Sequence, residues 1–508
     1  MAISTRSDAL GVKKEVTEGV PVAPASATDF IPLQDDLSVS ASFDDLENAE
    51  RLNSLGSAKS IRGLENPTLS VSHYAKPSGV EGTAPAWGPF LESIFGTETS
   101  GLTERNTVSG STTTTINVDS GEGTEFGWGR PMLIKDGTNG YSIRWSRGAT
   151  VDAVDLNFAV DTAPGTGVDL GDPVYWSPAN SGHPTLSLWH YISNMANGAV
   201  ELLTGNRITA MSLSADASQL INANFTAEGI GYHFDPLTVT ASNKFLDFTS
   251  DNGTFEVSIA EKTYKDPHDV AEALASAMNT ADTAETFAVV YSNTTGIFTI
   301  STSTSAVLSL LWASGTHGSA GTDTHIGTLL GYSDVANDTG ATTYAADSAQ
   351  DWSAPFTPSF DDSDPSVAKA NTVRLGDQDS NVCFEASNIT IDMGVPKTDI
   401  LSICAETGKS GSIATSREVT ISVTALLDNY DADAFHRFHT NQQTQFMWSW
   451  GTKVGGNWVA GKAMSAWGAN TTISSFEITS EDNLATLNLE LKTFVDSDGN
   501  GEFYLGQL

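Results

Sequence analysis

The chain has 508 residues, with 62 acidic against 25 basic side chains and a formal charge of −37. Such a surface repels phosphate, which excludes nucleic-acid binding built on Lys/Arg contacts, and it keeps concentrated protein soluble. Two cysteines, Cys383 and Cys404, exclude a disulfide framework, and no apolar run reaches the roughly 18 residues of a membrane-crossing helix.

The opening, MAISTRSDALGVKKEV, lacks the apolar core of a secretory signal, which predicts synthesis and folding in a cytoplasm. Glycine is abundant, charge is sparse and strand-like alternation is common, so the expected fold class is mainly β. The length suits about three domains.

Residues 1–36 read as an N-terminal arm, coil or polyproline-like around Pro21 and Pro24. A strand is predicted over 37–42, then a short helix or turn from Asp44 to Leu52, then a strand over 68–74. Residues 85–96 read as a short helix with Phe90, Leu91, Ile94 and Phe95 on one face and Gly96 as its stop. The long segment 97–184 is rich in Gly, Thr, Ser and Asp, with strands predicted over 113–118, 141–145 and 155–159. Strands over 185–191 and 199–203 flank an Asn197-Gly198 hairpin turn.

Residues 237–348 differ in order and composition. Strands are predicted over 245–248, 254–259, 287–291 and 297–300, with a turn at Asn293-Thr-Thr-Gly296. A helix is predicted over 267–279, N-capped by Asp266, with Val270, Ala271, Leu274 and Met278 facing a core. This reads as an inserted small α+β domain. Residues 349–508 return to the earlier style. A helix over 431–438 precedes a hairpin of strands 446–450 and 458–464 about Gly455-Gly456.

The two styles repeat. Leu37, Val39 and Ala41 match Ile389, Ile391 and Met393, Gly56 matches Gly408, and Ser60-Ile61 matches Ser412-Ile413, all at one shift (413 − 61 = 352). Thr68-Leu69-Ser70-Val71-Ser72 matches Thr420-Ile421-Ser422-Val423-Thr424 at the same shift. Ile208, Met211 and Leu213 match Ile473, Phe476 and Ile478 at a second shift (473 − 208 = 265), and an acidic turn with an alternating strand follows each. The first copy is therefore longer by 87 residues (352 − 265), placed in 97–184. The division is an arm at 1–36, a first unit at 37–236 with long loop 97–184, the insert at 237–348 and a second unit at 349–508. Duplication within one chain favours symmetric rings or arrays.

No residue is assigned a catalytic, cofactor-binding or metal-binding role. His436 and His439 have a metal-like spacing but no acidic or Cys partner placed to complete a site. Asp496-Ser-Asp498-Gly-Asn500-Gly501 opens like a calcium loop, but its twelfth position is Gln507, so an acidic turn is the reading. Carboxylate pairs such as Asp361-Asp362, or Asp431 with Asp433, are what any acidic chain offers a glycosidase reading. Trp448, Trp450, Trp458 and Trp467 fit a sugar-stacking surface less well than a core or subunit interface.

Taken in order, several motifs resemble those of the tail tube (major tail) proteins of long-tailed, non-contractile bacteriophages. They are Lys14-Glu15-Val-Thr-Glu-Gly19-Val-Pro21 with Phe30-Ile-Pro-Leu33, then Ser60-Ile-Arg-Gly63 with Pro67-Thr-Leu-Ser-Val-Ser72, then Gly88-Pro-Phe-Leu91 with Phe95-Gly96. Thr263-Tyr264, Tyr291, Gly296-Ile-Phe-Thr-Ile300, Leu329-Leu-Gly331-Tyr332 and Asp338-Thr-Gly340 resemble a module of phage structural proteins. The resemblance implies two related β-sandwich or barrel tube modules with short helices, and no enzyme activity or cofactor. It implies rings of three chains, or six, stacked into a tube in the virion tail and assembled in the bacterial host cytoplasm. The partners it implies are further copies, tape-measure, tail-terminator and tail-tip proteins, and DNA that passes without specific binding; membrane insertion is not expected. The arm and 97–184 are the expected ring-to-ring contacts, and the lumen is expected to be acidic or neutral. Another virion or cell-surface β-protein, an adhesin or capsid decoration protein, is the alternative, and a secreted polysaccharide-active enzyme a third.

Overall fold

The computed structural model describes residues 5–34, 37–50, 58–195, 197–303, 307–360, 363–427, 431–481 and 483–508. The fold is mainly β. Its first copy comprises β1 (Ala9–Lys14), β2 (Phe30–Ile31), β3 (Ser38–Leu46), β4 (Ile61–Tyr74), α1 (Gly88–Phe95), β5 (Leu186–Ile192), β6 (Ala199–Asp216), β7 (Asn222–Glu228) and β8 (Gly231–Phe234). The second copy comprises β9 (Thr372–Gly376), β10 (Asn381–Cys383), β11 (Ala386–Gly394), β12 (Glu418–Leu426), α2 (Asp431–Thr440), β13 (Thr444–Val454), β14 (Asn457–Glu481), β15 (Leu484–Thr493) and β16 (Phe503–Gln507).

The repeat extends to strand register. Val39 faces Leu69 as Ile391 faces Ile421, and Thr68 faces Glu228 as Thr420 faces Lys492. Met211 faces Phe225 as Phe476 faces Leu489, and a bulge sits beside Thr209 in one copy and beside Ser474 in the other. Leu188 faces Leu203 as Phe446 faces Gly468, and Leu203 faces Tyr232 as Gly468 faces Phe503. A one-residue slip would turn every apolar side chain outward, so matched register and matched bulges are a stronger sign of duplication than letter identity.

Each copy is a sandwich. β3, β4, β7 and the second half of β6 form one sheet, and β1, β2, β5, the first half of β6 and β8 form the other. The long β6 and β14 cross between sheets at the bulges. Alternation supplies the core. Leu69, Val71, Phe225, Ile208 and Leu213 point inward against Phe90, Leu91 and Ile94 of α1, and the second copy adds Ile421, Leu489 and Trp448 to the same core. Gly96 caps α1, its N–H bonding Glu92 O. Gly455 and Gly456, at φ 59° and 88°, close the β13–β14 hairpin as its two-residue turn requires.

Several expectations change. The first is the arm: Ala9–Lys14 is a strand paired with β5, and Leu10 and Val12 are buried. The supposed helix at Asp44 continues β3, because Asp45 and Leu46 pair with Arg62 and Ile61. Residues 51–57, with Gly56, lie outside the described residues, as do Asp361 and Asp362. The Asn197-Gly198 turn belongs to a longer connection, in which Ser193 and Asn194 take positive φ. The length difference also resolves further. The shift from β5 to β13 is 258 (444 − 186), so 94 extra residues (352 − 258) precede β5, and the second copy's longer hairpin returns 7 (265 − 258).

Residues 97–184 are a folded unit. Strands Thr115–Asn117, Ala153–Leu156, Gly140–Ala149 and Pro131–Asp136 form a sheet over a core of Ile116, Phe126, Met132, Val154 and Leu156. The unit lies on the second copy. Trp145 and Phe158 join Met447, Trp467 and Tyr504, and Val174–Pro178 pairs with β16. The insert occupies the comparable place on the first copy, where Phe248, Leu274 and Trp312 share a core with Trp189, Tyr191 and Leu202. Its helix, Pro267–Ala281, is N-capped by Asp266, which accepts from Asp269 N at 3.0 Å.

Candidate assembly interface

The two copies join at a sheet edge. β6 of the first pairs antiparallel with β11 of the second, so eight strands run in the order β3-β4-β7-β6-β11-β12-β15-β14. At this junction Met211 faces Met393, Leu213 faces Ile391 and Ala215 faces Ile389, and all six side chains are buried. Asn388 Nδ2 donates to Asp216 Oδ1 at 2.6 Å across the same seam.

The outer edges of that sheet are the counterparts of β11 and β6. At one edge is β3, paired only with β4; at the other is the 473–481 stretch of β14, paired only with β15, among the described residues. Leu213 is 0% exposed at the inner junction, whereas its counterpart Ile478 is 54% exposed. Ile391 is buried, whereas its counterpart Val39 is half-buried and Ala41 is exposed. Phe435 and Phe438 of α2 pack on Phe476 beside the β14 edge, and Phe435 is exposed. Unpaired edges lined by apolar side chains are a liability that proteins remove by pairing.

One face of the eight-stranded sheet covers the core; the other is open and polar. The open face carries Ser, Thr and Asn, joined across strands by contacts such as Thr424 Oγ1 to Asn488 Oδ1 at 2.9 Å and Asn66 Nδ2 to Asp44 Oδ1 at 2.8 Å. Its acids include Asp44, Asp216, Glu228, Asp392, Glu418, Glu477 and Glu490; Lys492 lies among them 3.7 Å from Glu418, Arg207 stands opposite Glu228, and Lys409 Nζ donates to Asn66 Oδ1.

The sequence's other candidates fall elsewhere. His439 of α2 lies against Phe435, and Asp433 accepts from Arg437 Nε at 2.8 Å. Asp496 turns its carboxylate inward, accepting from the backbone N–H of Asp498 and Asn500 and from Asn500 Nδ2. Trp448, Trp450, Trp458 and Trp467 are buried core residues, which removes a sugar-stacking surface. Their reason for clustering is packing: Trp448 stacks on Trp450 with centroids 4.2 Å apart, and Trp467 stacks between Trp145 and Tyr504. Cys383 and Cys404 are free and exposed.

Sequence reasoning missed two gatherings in the insert, because their members are distant in the chain. In the first, Asp247, Glu256 and His317, both Asp247 oxygens already accept from His317, through its N–H at 2.7 Å and its ring Nδ1 at 2.9 Å. In the second, Asp323, His325 and Asp334, His325 Nδ1 accepts from Gly327 N, so the neutral ring carries its proton on Nε2, where an ion would need a lone pair. The first is an internal hydrogen-bond cluster; in the second His325 Nε2 stands 3.7 Å from Asp323 Oδ1. Among the described residues no helix is long and apolar enough to cross a membrane.

No protein-family model matches the chain, and no curated protein does. Among the solved structures that are similar in part are these two. One is the tail of an empty GTA particle, determined by helical refinement with C6 symmetry; the match spans 25% of this chain and 93% of the other, at 14% identity and a TM-score of 0.20. The second is a double mutant of the Hcp1 protein from E. coli EAEC 042, matched over 27% of this chain and 95% of its own, at 14% identity and a TM-score of 0.17. Likeness at this level settles neither fold nor function.

Proposed function

We propose that this chain is a structural tail tube protein of a phage-like virion, assembled in the bacterial host cytoplasm. Its copies join edge to edge into closed rings, and the rings stack into a tube through which DNA is delivered. The observation that carries this reading is the contrast between the two kinds of edge. One chain contains a complete junction, β6 on β11, and ends in the two unpaired halves of a second one. A heterologous contact of that kind closes into a ring when its rotation allows.

Two modules per chain favour three chains, giving 24 strands; six chains is the larger alternative. At about 4.8 Å between strands and a tilt near 40°, 24 strands give a barrel roughly 48 Å across its backbone. The polar, acidic sheet face would then line the lumen, where it repels rather than grips DNA. Tape-measure, tail-terminator and tail-tip proteins are the further partners of this reading, and it includes no catalytic activity. An adhesin or capsid decoration protein would use the same sandwiches without ring closure. Light scattering coupled to size exclusion, at increasing protein concentration, separates the two: the tube reading predicts multiples of three chains and higher assemblies, and a strict monomer at every concentration contradicts it.

A further inference from the structure

The chain carries within itself the template for its own contact with the next copy, and we infer the residue register of that contact from it. The inference rests on the ring reading and specifies which atoms would meet. Inside the chain Leu213 faces Ile391, Ser212 faces Asp392 and Met211 faces Met393. Adding 265 to the β6 numbers gives Ile478, Glu477 and Phe476; subtracting 352 from the β11 numbers gives Val39, Ser40 and Ala41. The shift of 352 maps the in-chain pairing β3–β4 onto β11–β12, and β6–β7 maps onto β14–β15 with its bulge intact when β6 moves by 265 and β7 by 264 (489 − 225). Between copies, therefore, β14 of one chain pairs antiparallel with β3 of the next, with Ile478 opposite Val39, Glu477 opposite Ser40 and Phe476 opposite Ala41.

Chemistry agrees with the register. Ile478 and Val39 fall on the core face, where the contact buries the Ile478 side chain that a single chain exposes. Glu477 and Ser40 fall on the open face, which keeps the carboxylate in water. Both strands are already fixed in their own sheets, so a slip of one residue would set open-face Glu477 opposite core-face Val39 or Ala41 and mismatch the two pleats.

The test is disulfide trapping in a C383S/C404S background, with Ser40→Cys and Glu477→Cys in one chain. Oxidation of the assembled protein is expected to give covalent multimers at least about tenfold above those from Ser40→Cys with Thr479→Cys, because a displaced pair exceeds disulfide reach. Ser212→Cys with Asp392→Cys provides the in-chain reference for that geometry. Rings in which the displaced pair is trapped and the predicted pair is not overturn the register while leaving the ring reading standing. Absence of any assembly by the parent protein overturns both. Should the cysteine variant fail to assemble, hydrogen exchange on the parent gives the answer: amides of 473–480 and 38–42 gain protection together on assembly, and unchanged exchange there overturns the inference.

Discussion

Leu213 lies directly opposite Ile391 across the seam between the two copies, and both are fully buried. Their counterparts, Ile478 and Val39, sit at opposite ends of the same sheet with no strand on their outer side among the described residues. One sequence pattern thus occupies two environments. Leu213→Ala is expected to cost about 2–5 kcal/mol of folding stability, the usual range for emptying a buried leucine. Ile478→Ala should change the stability of the isolated chain by less than about 0.5 kcal/mol and yet weaken assembly. Denaturant unfolding and light scattering on both variants check the contrast; equal effects on folding would remove the distinction between inner and outer junctions.

The second prediction concerns pH and β1. His190 is buried with Nδ1 2.8 Å from Glu201 and Nε2 3.1 Å from Asp8, and the Tyr232 hydroxyl donates to the same Glu201. Burial favours the neutral ring, but the hydrogen bonds to Glu201 and Asp8 outweigh it and raise the pKa above 6.5. A raised histidine pKa gives stability that is fully present below the unfolded value and lost as the pH rises through the folded one. Hydrogen exchange of amides 9–14, corrected for intrinsic rate, should therefore quicken as the pH rises above 6.5 and through the raised pKa of His190. His190→Gln should abolish that step. The second copy has Trp448 at the matching place, so β9 should show no such dependence.

Gly129 tests how the 97–184 unit is seated. Its φ is +86°, and a Cβ there would lie 2.3 Å from the Tyr504 ring, whereas one at Gly137 would meet nothing within 4 Å. Gly129→Ala should cost about 1–3 kcal/mol through strain and displacement of Tyr504, while Gly137→Ala should stay within about 0.5 kcal/mol. Thermal unfolding of the two variants measures the difference.

The open face gives a fourth. With acids outnumbering cations on it among the described residues, assembled wild-type tubes should not retain duplex DNA. Asp392→Lys with Glu490→Lys should make them retain it at low salt and release it as salt rises. Co-sedimentation with DNA across a salt series checks this, and DNA held by the wild-type lumen would refute the proposed role of the face.

Much of this architecture was legible in the chain because the two copies preserve apolar periodicity at constant shifts, and alternation over 68–72 and 420–424 is enough to place both strands. The hairpin at Gly455-Gly456, and Asp266 ahead of Pro267, are local signals that need no tertiary help. What escaped depends on distant partners. β1 is six residues long and pairs with β5, where Ala9 faces Tyr191, so local sequence alone reads as arm. Asp44 and Asp45 look like a helix start until the pairing of Asp45 and Leu46 with Arg62 and Ile61 holds the segment in a strand. Residues 97–184 look like loop because their apolar residues are spread thinly, yet Trp145 and Phe158 find a second surface on the other copy. The junction itself was invisible: nothing in β6 or β11 alone says that Leu213 meets Ile391.

Electron microscopy of the purified chain at low and high concentration tests the central claim most directly. The account predicts hollow rings with a central channel, built of six modules from three chains, that stack into tubes as concentration rises. Uniform compact monomers at every concentration, with the β3 and β14 edges still unpaired, would contradict it.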